Sequence, residues 1–271
     1  MTCTSRSRDL EHSPCTEHGR AHQVGIFKEL RIKLGLRKQP RIAADTWAKW
    51  YLGKEFSADW ADGNFPTWDA CLAGMRGIGK PLNILEIGSW EGRSAIFFLE
   101  YFERSTITCI DTFDGGQDEY GSNAADFPVI EQRFDANLSS YPGRVRKMKS
   151  TSVKALAALG EEGASFDLIY IDGAHDRDSV HVDSLLAWPL LKNGGVTIWD
   201  DYGWRRSDGA IDTRPEEAIN LFVASRHENI KLLHRQWQVI ARKVCGDTPK
   251  FEPRLFFSGL ALRALRIRHI D

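Results

Sequence analysis

A chain of 271 residues with 42% hydrophobic and 27% charged side chains has the make-up of a globular protein, long enough for one large α/β domain with appendages. Its formal net charge of −1 gives no footing for nucleic acid or an anionic membrane as the main partner. Five scattered cysteines (Cys3, Cys15, Cys71, Cys109 and Cys245) include no C-x-x-C pair, which argues against a disulfide framework or structural zinc and for a reducing cytoplasm.

Residues 1–23 are polar and rich in Ser, Arg and His, the composition of a disordered arm. They lack the apolar core of an export signal, and no run is long enough to span a bilayer, so the chain reads as soluble and cytoplasmic. Residues 24–80 predict a helical segment on the substrate side of the fold. It holds a short helix in "GIFKELRIKLGL", another in "DTWAKWYLG", and a third over 64–79 with Trp68, Leu72 and Met75 at helical spacing.

Residues 81–246 alternate strands with helices. The strands are "LNILEIG", "TITCID", "VRKMKS", "FDLIYID" and "GVTIWDD". Between them lie helical patterns in "GRSAIFFLEYF", "DFPVIEQRFDANL", "SVKALAAL" and "DSVHVDSLLAWPLL". A strand pair, "NIKLLHR" and "QWQVIARKV", follows "RPEEAINLFVAS". Apolar strands separated by amphipathic helices imply a parallel sheet covered on both faces, with ligands outside the carboxyl ends of the strands. Residues 247–271 form an extension in which Phe257, Ala261 and Leu265 mark a short amphipathic helix. That helix suits docking on its own domain, a partner subunit or an anionic surface, which leaves a homo-oligomer open.

Two stretches of the sheet's carboxyl edge carry chemistry. In "LEIGSWEGRS", Gly88 and Gly92 allow a tight turn and a close ligand approach between the first strand and its helix. The spacing is not G-x-G-x-x-G, which disfavours a pyrophosphate-binding turn. Asp111 ends the next strand about 20 residues on, where a carboxylate accepts the two hydroxyls of a ribose. At the other end stand Asp172, Asp200 and Asp201, from two neighbouring strand ends, with His175 three residues after the first. Three carboxylates in one cleft repel one another unless a cation or protons intervene, and Mg2+ suits such hard oxygen ligands. The plainer alternative is that these aspartates cap loops and the following helix.

"LEIGSWEGRS", "CIDTF", "FDLIYIDGAH" and "LLKNGGVTIWDDY" together resemble the class I S-adenosylmethionine-dependent methyltransferases. More narrowly they are similar to the catechol-type and macrolide-sugar O-methyltransferases, over about Phe56 to Val244. The resemblance implies a Rossmann-like α/β fold, a mostly parallel seven-stranded sheet with an antiparallel last strand and helices on both faces. It implies S-adenosylmethionine as cofactor. Glu86, Gly88 and Gly92 would cradle the methionine part with Ser89 and Ser94, and Asp111 would hold the ribose, followed by Thr112 and Phe113. Ser150 to Ser152 would lie near the adenine. Asp172, Asp200 and Asp201 would bind Mg2+ or another divalent cation that lowers the pKa of an acceptor hydroxyl. His175 takes the place of the lysine base of catechol-type enzymes, as in the macrolide-sugar branch, and suits a general base near neutral pH.

The acceptor is then a small hydroxylated molecule, a natural-product sugar or a catechol. Phe113, Tyr120, Phe127 and Trp204, with Trp60, Asn64 and Trp68 upstream, are candidates for its walls, and "RRSDGAIDTRPEE" for a flap over it. Two other readings stand beside this one. A nicotinamide-dependent oxidoreductase is disfavoured by the interrupted glycine motif and by a carboxylate trio that hydride transfer does not need. A cofactor-binding protein without catalysis would share the fold and yield no product.

Overall fold

The apolar runs settle into one twisted sheet in the computed structural model, which describes residues 41–115, 127–205 and 214–244. The polar arm, the helix expected at 25–36, the C-terminal helix, Tyr120, the Phe127 side chain and the middle of the 205–217 insertion lie outside the described residues, as do Cys3, Cys15 and Cys245. Everything described falls in one compact unit beginning at Arg41.

Two helices, α1 (Ala44–Trp50) and α2 (Phe65–Arg76), precede the sheet. Then come β1 (Asn83–Ile87), α3 (Arg93–Tyr101), β2 (Thr106–Asp111), α4 (Phe127–Leu138), β3 (Val145–Lys149), α5 (Ser152–Glu161) and β4 (Phe166–Ile171). The chain continues through α6 (Arg177–Ala187), β5 (Leu191–Trp199), α7 (Pro215–Ser225), β6 (Ile230–Arg235) and β7 (Val239–Lys243). The strand order is β3-β2-β1-β4-β5-β7-β6. β1 to β5 pair in parallel, and β7 runs antiparallel between β5 and β6. The order reverses at β1, so the connections leaving β1 and β4 diverge and open a crevice above their carboxyl ends. β5 starts earlier than its sequence suggests. Its first residues bulge out through Gly194, at φ 82°, before pairing resumes at Val196.

Side-chain alternation along the strands divides the apolar residues into two cores. Ile84, Leu168, Tyr170, Val196 and Ile198 face α2 and α3, whereas Leu85, Ile87, Ile169, Ile171 and Trp199 face α5, α6 and α7. Burial on both faces is what makes these strands read as nearly continuous apolar runs. The first core is built from rings. Phe97 stacks on Phe65 at 4.5 Å and on Tyr101 at 5.2 Å, and it meets Trp68 edge-on at 5.0 Å. Trp68, a candidate for an acceptor wall, is fully buried here, its Nε1–H donating to Gln238 Oε1 at 2.7 Å. Residues 41–76 thus belong to the same core as the sheet. Replacing Phe97 by Ala removes the ring at the centre of this cluster and should cost about 3–5 kcal/mol, read as a lower urea midpoint at unchanged slope.

Candidate active site

The turn from β1 to α3 is shaped by what lies behind it. Gly88 sits at φ 84° and Gly92 at φ 83°. A Cβ at Gly88 would overlap the Asp172 carbonyl oxygen and lie 2.8 Å from Gly173 Cα. The backbones of the β1 and β4 ends therefore touch where any side chain would part them. Trp90, at φ 46°, is held in its left-handed conformation by Asp111, whose Oδ2 accepts the Trp90 N–H at 2.8 Å. Asp111 Oδ1 accepts from Phe113 N at 2.6 Å. Burial raises the Asp111 pKa, and these backbone donors offset part of the rise.

Residues 51–62 are fastened over this turn. The Glu91 carboxylate, buried, accepts from Ser57 N at 2.5 Å and from Arg133 at 2.8 Å. Arg93, the first residue of α3, pairs with Asp62 at 2.7 Å through Nε and covers the rings of Tyr51 and Phe56. The result brings Trp60 to the turn, 5.7 Å from the Trp90 ring and 63% exposed.

Between this turn and the β4 end lies a cleft of about 340 Å³. Its far wall is the loop from β3 into α5, Ser150 to Ser152, with Asp183 of α6 beside it. Its near end reaches Asp172 and His175.

That near end concentrates negative charge. Tyr170 on β4 and Asp172, the first residue beyond its end, are two residues apart and point the same way. The Tyr170 hydroxyl lies 2.9 Å from Asp172 Oδ2 and closer still to Asp200 Oδ2. The phenol's own pKa is pushed far up by burial and by the two aspartates, so it keeps its proton. One hydroxyl proton satisfies one acceptor; the other contact is satisfied only if a carboxyl group carries a proton. Burial first, then repulsion from Asp200 and Asp201, pushes the Asp172 pKa well up, and burial with repulsion from Asp201 raises that of Asp200. Asp200 is further engaged by Asp201 N at 2.8 Å and stands beside the amide of Gln238. Asp201, at φ 55°, turns the opposite way and sets Oδ2 2.9 Å from His175 Nε2. Trp204 packs its ring 5.1 Å from the imidazole. One ligand atom each from Asp172, His175 and Asp201 lies within 4.8 Å of the others, a donor set that fits a divalent cation.

Residues 85–202 match a family model described as a methyltransferase domain. The match supports a methyltransferase domain over that stretch of the chain. Solved structures agree on the fold. MycE methyltransferase from the mycinamycin biosynthetic pathway, in complex with Mg and SAH, is 18% identical with a TM-score of 0.52, covering 84% of this chain and 61% of its own. A second MycE complex, with Mg, SAH and mycinamycin VI, is 17% identical with a TM-score of 0.52, covering 92% of this chain and 67% of its own. A Staphylococcus aureus protein assigned to the caffeoyl-CoA O-methyltransferases is 15% identical with a TM-score of 0.50, covering 84% of this chain and all of its own. The chain thus spans about three fifths of the first MycE chain. Comparison with curated proteins gave no match. The family match favours a methyltransferase over the nicotinamide-dependent oxidoreductase weighed above, and no described helix is long and apolar enough to cross a membrane.

The methyltransferase cleft brings together Gly88, Asp111, Thr112, Ser150, Ser152, Asp172 and His175 of the residues singled out in the sequence. Glu86, Ser89, Gly92, Ser94 and Phe113 stand behind its walls. Phe113 is buried against Phe134 at 5.0 Å, and a Cβ on Gly92 would press on Leu138. Asp200 turns its Oδ2 toward Tyr170, and the three groups whose ligand atoms converge are Asp172, His175 and Asp201 rather than the carboxylate trio read from the sequence. Tyr170, Asp183, Glu91 and Trp90 were missed. For Tyr170 the signal was present, two residues before an aspartate on one strand face; for the others, only the folded chain supplies the neighbours.

Glu86 lies fully buried under the turn. Burial pushes its pKa up to about 7, although the hydroxyls of Ser94 and Ser89 and the thiol of Cys109 favour the anion. A carboxyl group whose pKa is higher in the fold than in the unfolded chain (about 4.3) stabilises the fold at low pH. That contribution is lost as pH rises from about 4 to about 7. Melting temperatures of the wild-type chain and Glu86→Gln across pH 5 to 8 should diverge in the variant's favour toward pH 8, and parallel curves would count against this account.

Proposed function

We propose that this chain transfers a methyl group from S-adenosylmethionine to a hydroxyl oxygen of a small molecule, with Mg2+ or another divalent cation at Asp172 and Asp201 and with His175 as general base. The observation that carries this reading is the cluster of Asp172, His175 and Asp201 at one end of a cleft whose middle is the Gly88 turn and Asp111. The MycE complexes, with Mg and SAH, and in one case mycinamycin VI, favour a sugar-bearing natural product over a simple catechol as the acceptor class.

When bound, the cation would supply Lewis acidity that makes the acceptor hydroxyl easier to deprotonate. The rest falls to the chain. Gly88 lets the donor approach the backbone, and Asp111 presents a carboxylate at the ribose position. Asp172 and Asp201 hold the positive charge near the acceptor, with Tyr170 fixing Asp172 from behind. A proton taken from the acceptor by His175 gives an imidazolium, whose charge the Asp201 carboxylate, 2.9 Å from Nε2, stabilises. The acceptor oxygen then forms its bond to the methyl carbon as the carbon–sulfur bond breaks, leaving a neutral thioether. Such a displacement needs alignment above all, and the fixed turn supplies it.

A screen of hydroxylated natural products with labelled methyl donor tests the reaction. Asp172→Asn should lower metal-supported turnover about 100-fold while leaving SAH affinity within about threefold. His175→Ala should lower it about 100-fold or more near neutral pH, with partial recovery in alkali. Full turnover by either variant, or by the wild type in excess chelator, would overturn the corresponding role.

A further inference from the structure

Three contacts run from the tip of the β6–β7 hairpin to the segment that carries Asp200 and Asp201, and the proposed mechanism uses none of them. The tip turns at residues 236–238, where Gln236 N donates to Gln238 O at 3.0 Å. Gln238 is buried and held in place, its Oε1 accepting from Trp68 of the aromatic core at 2.7 Å, and its amide stands beside the Asp200 carboxylate. The Trp237 carbonyl accepts from Gly203 N at 3.3 Å, and a Cβ at Gly203 would lie 2.6 Å from the Trp237 ring. Arg235, the last residue of β6, donates through Nε to the Tyr202 hydroxyl at 2.9 Å and lays its guanidinium 5.1 Å from the centre of that ring. The hydroxyl donates onward to Asn220 Oδ1 of α7 at 3.1 Å, which also accepts from Arg235 Nη2 at 2.8 Å.

Asp201 needs such a clamp. It is a non-glycine residue at φ 55°, and it opens a tight turn closed by Trp204 N, which donates to the Asp201 carbonyl at 2.9 Å. Aspartate tolerates that conformation better than most residues, yet such a position persists only where its surroundings over-determine it. Released, Asp201 would regain an ordinary negative φ and swing Oδ2 away from His175 Nε2, which it now meets at 2.9 Å. Tyr202 is the next residue, 9% exposed, and its hydroxyl is the point where β6 and α7 both take hold. We propose that Arg235, acting through Tyr202, is a positioning residue for the cation site: it fixes the turn that aims the Asp201 carboxylate at His175 and the cation. This rests on the cation reading proposed above. Arg235 is not one of the converging donors and does not line the cleft, so its influence passes through the Asp201–Tyr202 backbone.

Calorimetric titration of the full chain with Mn2+ in the presence of SAH, set beside titration with SAH alone, tests the assignment. Arg235→Met and Tyr202→Phe should each bind Mn2+ about tenfold more weakly than the wild type, the usual effect of losing a group behind a metal ligand, with SAH affinity kept within about threefold. The double variant should bind Mn2+ no more weakly than the weaker single variant, because both changes break one chain of contacts. Unchanged Mn2+ affinity in either single variant overturns the inference. So does a loss that falls equally on Mn2+ and SAH, the mark of a hairpin that only supports the fold. Losses that multiply in the double variant mean that Arg235 does not act through Tyr202, and overturn it as well. A wild-type chain that binds no Mn2+ overturns the cation reading itself, a result distinct from tight binding by wild type and variants alike.

Discussion

The charge at the reacting end of this fold is organised around one phenol. Tyr170 is anchored by its ring in the aromatic core, 5.3 Å from Trp68 and 5.7 Å from Phe98, and only its hydroxyl reaches the strand ends. There it stands between Asp172 and Asp200, two buried carboxylates that repel one another. Because the phenol keeps its proton, the pair behaves as a single acidic unit, with one negative charge more easily carried than two. A divalent cation relieves the same repulsion in place of a proton. The core of rings and the polar end are therefore one construction, with the hydroxyl placed by packing rather than by a flexible loop.

The opposite wall obeys a different logic. Around the turn, polar groups tie chain segments together. Glu91 holds the backbone at Ser57, Arg93 holds Asp62, and Asp111 joins the amides of Trp90 and Phe113. Each carboxylate takes at least one donor from a segment distant in sequence, which adds to the turn's own short-range bond from Gly92 N to Ser89 O at 2.7 Å.

Much of this architecture was legible in the chain. The strands announced themselves as apolar runs buried on both faces, and Trp68, Leu72 and Met75 marked the inner face of α2, all three buried. The carboxylates at strand ends were legible for the same reason, since a parallel sheet leaves its polar residues where the strands stop. What the sequence could not convey was direction at Asp200 and Asp201. Adjacent aspartates look alike as letters, yet a positive φ at Asp201 sends one toward His175 while the other turns back to Tyr170. Side-chain alternation holds in a strand and fails at the first residue of a loop. The role of Trp68 was equally ambiguous, because an aromatic residue at helical spacing serves a core or a pocket with the same periodicity.

The contact between Gly88 and the Asp172 backbone bears on how this cleft could be re-engineered. Position 88 is closed to other residues twice over, by its left-handed conformation and by the carbonyl oxygen in the way of any Cβ. A designer seeking to admit a bulkier donor would gain nothing there. Trp60, with most of its ring in solvent at the rim, offers the opposite circumstance: a large side chain whose replacement disturbs little of the interior.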